Sequence, residues 1–197
     1  MRTFYEQQRD IYRLKIPFDN LYTSVFLIRM PEGFVLVDCA TTERDVDEYI
    51  VPALKSIGIG LDDVTRVVVT HNHSDHAGGL ARIMELAPRI EAVRDERELG
   101  ALVRTCCLPG HTEDFIGVLD LRSHTLITGD ALQGAGVGKY RCTLADKQAY
   151  RETLDKIRKD DRIKNLMYSH AYEPWYDDKI LGRDRVIDAL AECERYI

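Results

Sequence analysis

Four potential metal donors fall within six residues in the run His71-Asn72-His73-Ser74-Asp75-His76. Neutral imidazole and carboxylate together suit zinc, iron or manganese. An apolar, β-branched stretch, Val67-Val68-Val69-Thr70, precedes the run, and Gly78-Gly79 with an apolar-periodic segment follows it. That order reads as strand, ligand loop, helix. Alternating positions put His71 and His73 on one side, and leave Asp75 and His76 to turn toward a second point.

The chain contains six His in all. Two of the other three stand at similarly marked places, Pro109-Gly110-His111-Thr112 and Tyr168-Ser169-His170, and Asp130 closes the apolar stretch Leu126-Ile127-Thr128-Gly129. A purely structural role does not gather ionisable groups at strand ends in this way. His124 is set apart, because it sits in the surface turn Arg122-Ser123-His124, at the opposite end of its strand from Asp130.

The HxHxDH run, followed in order by GHT, GD and a last His, resembles the metallo-β-lactamase superfamily, and within it the dinuclear hydrolases typified by glyoxalase II. The resemblance extends from about Ile11 to about Trp175. It implies an α/β fold, the αββα sandwich of two mixed β-sheets flanked by helices, with the metal at one edge. It assigns one ion to His71, His73 and His111, and a second to Asp75, His76 and His170, with the Asp130 carboxylate bridging them. Two divalent ions are therefore expected, zinc first, with iron or manganese as the other options. An acid at Asp38 would lie below the metals and help hold the ligand loop.

Two such ions about 3.5–4 Å apart can share a hydroxide, because coordination lowers the pKa of the bound water toward about 7, so no Ser or Cys nucleophile is needed. Asp130 and Asp75 are the catalytic candidates. Asp130 would set the spacing of the ions, and Asp75 would pass a proton near the leaving group. The reaction expected is cleavage of an ester, thioester or lactone-type bond of a small molecule. Gly136-Val137-Gly138-Lys139-Tyr140 resembles the glyoxalase II segment that contacts glutathione, which makes Lys139 and Tyr140 substrate-binding candidates; Tyr172, after His170, could line an apolar wall. Arg141 and the ending Ala171-Tyr172-Glu173-Pro174-Trp175 depart from that pattern and count against glutathione thioesters. Two other readings stay open: a persulfide dioxygenase using one iron on His71, His111 and Asp130, and a metal-loaded binding module without turnover.

The elements that must position these groups fit a length of 197 residues, 45% hydrophobic and 30% charged, enough for one domain over 1–197 with a sizeable core. A net charge of −6 offers no electrostatic footprint for nucleic acid or an anionic membrane, so the expected partner is a small-molecule substrate. No apolar run approaches the roughly 18–20 residues of a membrane span. The first residues lack a signal peptide's layout, and five Cys without a CxxC pair read as reduced thiols in the cytoplasm. Oligomeric state is not legible.

Along the chain, Ile11–Pro17 reads as a first edge strand, and residues 25–28 and 34–37 as a hairpin around Pro31-Glu32-Gly33. Thr42 and Asp45 form a capping box for a helix in which Pro52 marks a kink or a true start. Asp95–Gly100 reads as a charged turn of helix, Leu102–Leu108 as the strand leading to His111, and Cys106 and Cys107 as buried inert thiols. Asp146 or Thr143 caps the next helix. Asn165–Tyr168 is a strand, and Ile180–Ile197 a final helix.

Overall fold

The computed structural model describes residues 3–19, 21–132, 143–171, 177–195 and 197. The chain resolves into two compact units, Met1–Arg94 and Asp95–Ile197.

The first unit is a six-stranded mixed sheet in the order β1-β2-β3-β4-β5-β6. β1 (Tyr5–Gln8), β2 (Ile11–Phe18), β3 (Leu21–Met30) and β4 (Gly33–Val37) pair antiparallel, and β5 (Val64–Val68) and β6 (Glu91–Val93) continue parallel to β4. Parallel pairing demands long crossovers, and these carry the helices. α1 (Glu43–Asp45), a π-turn over Val46–Ile50 and α2 (Val51–Ser56) run on one after another, while α3 (Ser74–Ala77) and α4 (Leu80–Leu86) join β5 to β6. Alternate strand positions Leu14, Ile16, Val25, Leu27 and Leu36 pack with Val46, Ile50, Ala53, Leu54 and Ile83 from the helices. Each of the Val, Leu and Ile side chains, fully buried, contributes about 1.5–3 kcal/mol of transfer free energy.

Local chemistry sets the ends of these elements. The Thr42 hydroxyl accepts from Asp45 N–H, and the Asp45 carboxylate accepts from Thr42 N–H, closing the expected capping box. A proline inside an α-helix clashes with the carbonyl four residues back, and here the turn before Pro52 is widened to π geometry, so the helix passes through. It stops at Gly58, whose φ of +77° permits paired bonds from Gly58 N–H to Lys55 O and from Ile59 N–H to Leu54 O.

The edge strand expected at Ile11–Pro17 is an interior strand; the edge is β1. Tyr-Glu-Gln-Gln is polar, half-exposed and interrupted by a register shift, so it carries no hydrophobic signal.

The second unit is a five-stranded mixed sheet in the order β11-β10-β9-β8-β7. β7 (Val103–Cys107), β8 (Ile116–Asp120) and β9 (Thr125–Gly129) are antiparallel, β10 (Asn165–Tyr168) lies parallel to β9, and β11 (Lys179–Leu181) is antiparallel to β10. α5 (Lys147–Lys159) and α6 (Arg183–Glu194) bring Tyr150, Leu154, Ile157, Val186 and Leu190 into the same apolar cluster as Leu119, Leu126, Leu166 and Tyr168. Asp146 caps α5 by accepting from Gln148 N–H and Ala149 N–H.

Two expectations are corrected in this unit. Residues 95–100 are not helical. Glu98 bridges Arg104, and Leu99 N–H and Thr105 N–H bond to Val103 O and Arg97 O, so strand pairing claims the backbone. The last helix begins after Gly182, because Lys179–Leu181 is taken up by β10 as an edge strand. Among the described residues no helix is long and apolar enough to cross a membrane.

Candidate metal centre

In both units the candidate residues other than His111 stand past the carboxyl ends of parallel strands, where α/β sheets build their sites. In the first unit Asp38 follows β4 directly, β5 leads through Thr70 to His71, and Arg94 follows β6 directly. In the second, Asp130 follows β9 and His170 lies two residues past β10, where Tyr168 stands beside Gly129.

The first unit gathers His71, His73, Asp75 and His76. His71 Nε2 lies 2.9 Å from His73 Nδ1. Two nitrogens on one tetrahedral zinc sit roughly 3.3 Å apart, from Zn–N bonds of about 2.0–2.1 Å, so this separation suits two lone pairs converging on one cation. His76 Nε2 lies 3.1 Å from Asp75 Oδ2. His71, Asp75 and His76 are buried and His73 is exposed.

The rear nitrogens are fixed by acceptors. Asp38 is buried and its carboxylate accepts from Thr70 N–H at 2.8 Å and from the Thr70 hydroxyl at 2.9 Å, while its other oxygen lies 2.7 Å from His76 Nδ1. A carboxylate accepts only, so the proton sits on Nδ1 and the Nε2 lone pair of His76 points forward. The Thr70 hydroxyl spends its one hydrogen on Asp38 and therefore accepts from His71 Nδ1, 3.1 Å away. That leaves the His71 Nε2 lone pair forward too. Metal-binding histidines are oriented by this kind of support.

The ligand turn rests against residues 38–41. Cys39 N–H donates to His76 O, Gly78 N–H to Ala40 O, and the Thr23 hydroxyl to Asp75 O at 3.0 Å. Backbone contact this close admits only glycine: a Cβ on Gly78 would stand 1.8 Å from Thr41 O, and one on Gly79 2.2 Å from Cys39 O. Asp38 and Ala40 both hold positive φ, +65° and +61°, a conformation non-glycine residues keep only where surroundings impose it. Asn72, between the first two histidines, accepts from Arg94 Nη1.

The second unit supplies His111, Asp130 and His170, all buried. His111 Nδ1 lies 2.7 Å from Thr143 O. A carbonyl accepts only, so Nδ1 carries the proton and Nε2 presents a lone pair. The His111 loop is pinned to the start of α5: Asp146 N–H donates to Gly110 O, and Gly110, at φ +138°, lets the backbone lie where a Cβ would meet Tyr150 at 2.6 Å. Asp130 Oδ2 lies 3.4 Å from His170 Nε2.

Lys139, Tyr140 and Tyr172, with Arg141 and Trp175, lie outside the described residues. Thr70, Thr23 and Arg94 are supporting residues that motif reading misses. Thr70 adjoins the motif and could have been noticed; Arg94 stands 22 residues from Asn72 with no local signal.

Residues 19–99 match the profile of the metallo-beta-lactamase superfamily. The chain is 28% identical to the Beta-lactamase-like protein 2 homolog of Caenorhabditis elegans, with 92% of this chain and 66% of that one covered. It is 29% identical to the Atrochrysone carboxyl ACP thioesterase of Passalora fulva, over 68% of this chain and 44% of that one. Across these curated relatives the chain thus spans about half to two thirds of their length. The solved structure of the metallo-beta-lactamase FIM-1 from Pseudomonas aeruginosa in its mono-zinc form superposes with a TM-score of 0.74 at 16% identity, covering 98% of this chain and 95% of that one. The α/β fold of two mixed sheets with helices is therefore the fold these enzymes have.

Proposed function

We propose that this chain is a member of the metallo-beta-lactamase superfamily, whose profile its residues 19–99 match, and a metal-dependent hydrolase of a small-molecule ester, thioester or lactone. The observation that carries the reading is the set of lone pairs left forward at His71, His76 and His111 by acceptors behind them. Under this reading His71, His73 and His111 would hold one ion, and Asp75, His76, Asp130 and His170 the other, with Asp130 in the bridging role the family resemblance implies.

The donor set of imidazole and carboxylate fits zinc, and a relative solved in a mono-zinc form supports zinc as first choice. Ions held there would supply Lewis acidity and a nucleophile at neutral pH. The remaining work falls to this chain's own groups. Asp38 and Thr70 hold two imidazoles in one tautomer. Asp130 sets the separation of the two donor sets, and the carboxylates of Asp75 and Asp130 offset part of the cations' charge. Asp75 would take up at its carboxylate the proton lost by the attacking water and pass it to the leaving group. The thioesterase named among the relatives favours thioesters as the first substrates to try.

The test is turnover of an ester, a thioester and a lactone by the wild type and by Asp130→Asn, with metal content measured for each. A loss of at least ~10-fold in the variant is expected. Equal activity at equal metal loading removes the bridging role. Iron in the purified protein with oxygen uptake, and no hydrolysis, overturns the hydrolase.

A further inference from the structure

β5 lies between β4 and β6, so its carboxyl end has a neighbour on each side. The register brings the three strand ends level, because Val37 and Val93 both stand beside Val68. Pairing continues just past that point, with Asp38 N–H donating to Val68 O at 2.8 Å and Val69 N–H to Val93 O at 3.1 Å. Asp38 and Arg94, the residues that follow β4 and β6, therefore flank the chain as it leaves β5 for the ligand turn.

Both side chains reach into that turn. Asp38 takes the Thr70 amide, the Thr70 hydroxyl and His76 Nδ1. From the other side, Arg94 Nη1 donates to Asn72 Oδ1. Asn72 stands between His71 and His73, whose Nε2 and Nδ1 atoms lie 2.9 Å apart. Residues 69–73 belong to no helix or strand, so side-chain contacts weigh heavily on the path of this backbone. The Cα atoms of His71 and His73 are each about 3.8 Å from that of Asn72. A bond that ties Asn72 to the end of β6 thus limits where both rings can stand.

Charge alone gives no reason for an arginine here. A guanidinium beside a cation site weakens it by repulsion, whereas a hydrogen bond that orders the donors strengthens it. The two effects have opposite signs, which makes the role measurable.

We propose that Arg94 is a positioning residue of the metal centre. Through its bond to Asn72 it holds His71 and His73 in the geometry that receives one ion, acting from the side of β6 as Asp38 acts on His71 and His76 from the side of β4. The proposal rests on the reading of His71 and His73 as metal ligands and not on the reaction catalysed there.

Zinc affinity by chelator competition tests it on the whole chain, in the wild type, Arg94→Met, Arg94→Lys, Asn72→Ala and the double variant of Arg94→Met with Asn72→Ala. Arg94→Met is expected to bind zinc about 10-fold more weakly, the low end for loss of a group that supports a ligand, because Arg94 acts through a neighbour. Arg94→Lys keeps a donor for Asn72 and should recover most of that loss. The double variant should bind no more weakly than the weaker single one, since both changes remove one contact. Both side chains are exposed, and surface changes seldom alter folding, so the melting temperature of the metal-free protein should stay in place. Affinity unchanged or raised in Arg94→Met, losses that add in the double variant, or a loss matched by a lower melting temperature of the metal-free protein would each overturn the role. Wild type that binds no zinc, or binds it equally well after His73→Ala, would overturn the ligand reading and this inference with it. Zinc held through His73 but indifferent to Arg94 would remove this inference alone.

Discussion

His76 Nδ1 and Asp38 Oδ2 lie 2.7 Å apart, both buried, and the Asp38 carboxylate also receives the amide and hydroxyl of Thr70. One side chain at the end of β4 thereby orients two histidines of the following ligand loop, His76 directly and His71 through the Thr70 hydroxyl. Asp38→Asn keeps the shape but replaces an acceptor oxygen by a donor NH2, so one of the three N–H and O–H donors loses its acceptor. Affinity for the metal should fall about 10–100-fold while the far-UV circular dichroism stays native. Chelator competition followed by elemental analysis checks this; unchanged affinity would show that Asp38 does not orient the ligands.

Gly78→Ala is the second expectation. Its Cβ would meet the Thr41 carbonyl oxygen at 1.8 Å and its carbon at 2.4 Å, and backbone cannot swing aside as a side chain can. Overpacking of this kind costs about 1–3 kcal/mol, so Tm should fall by several degrees, at about 2–4 °C per kcal/mol for a chain of this size. Because the same turn carries His76, metal affinity should fall with it. Gly58→Ala serves as the contrast. It meets no atom within 4 Å, and its cost comes from φ +77° alone, so it should lower Tm without touching metal affinity.

How much of this was legible beforehand depended on whether a residue announces itself locally. The ligand loop did, because six consecutive residues concentrate rare donors after a β-branched strand. The Thr42–Asp45 box did too, since both its bonds lie within four residues. The edge strands Tyr5–Gln8 and Lys179–Leu181 did not: one exposed face and three or four residues leave no period to read, and only a neighbouring strand makes them strands. Residues 95–100 misled through composition, because acids and arginines favour helix until Thr105 claims the backbone, its hydroxyl accepting from Arg97 N–H and donating to Asp95 O. Arg94 and Asn72 meet only because parallel β5 and β6 end at the same sheet edge.

Arg183, in the first turn of α6, donates to the carbonyls of Ile157, Arg158 and Ile163. Two of these close α5, where the last carbonyls lack helical partners. Arg183→Met retains the aliphatic stem but leaves three acceptors without that donor, and should destabilise the protein by about 1–3 kcal/mol. Its ion pair with Asp161 is 3.9 Å long and Asp161 is fully exposed, so Asp161→Ala should leave the denaturation midpoint in place. Urea unfolding of both variants decides between carbonyl capping and charge pairing.

Cys106 and Cys107 separate by the pleat of β7, Cys106 buried and Cys107 exposed, so the expectation of two buried thiols fails for Cys107. Burial pushes the Cys106 thiol up to about 11. For Cys107 burial is again the first cause of a raised pKa, with the charge of Glu96 beside it; the Glu96 carboxylate accepts from Cys107 N–H at 2.8 Å. Iodoacetamide at pH 7.5, read by peptide mass, should therefore label Cys107 slowly and Cys106 and buried Cys39 only after unfolding. Glu96→Gln removes the anion, lowers the Cys107 pKa and speeds its labelling at fixed pH, whereas labelling independent of Glu96 would discount that charge. The folded state holds the Cys106 proton more tightly than the unfolded chain. Its contribution to stability is thus complete below the ordinary thiol value of 9.0 and is lost as pH rises through about 11. Unfolding free energies measured from pH 8 to 11 should decline over that window, and less steeply in Cys106→Ala.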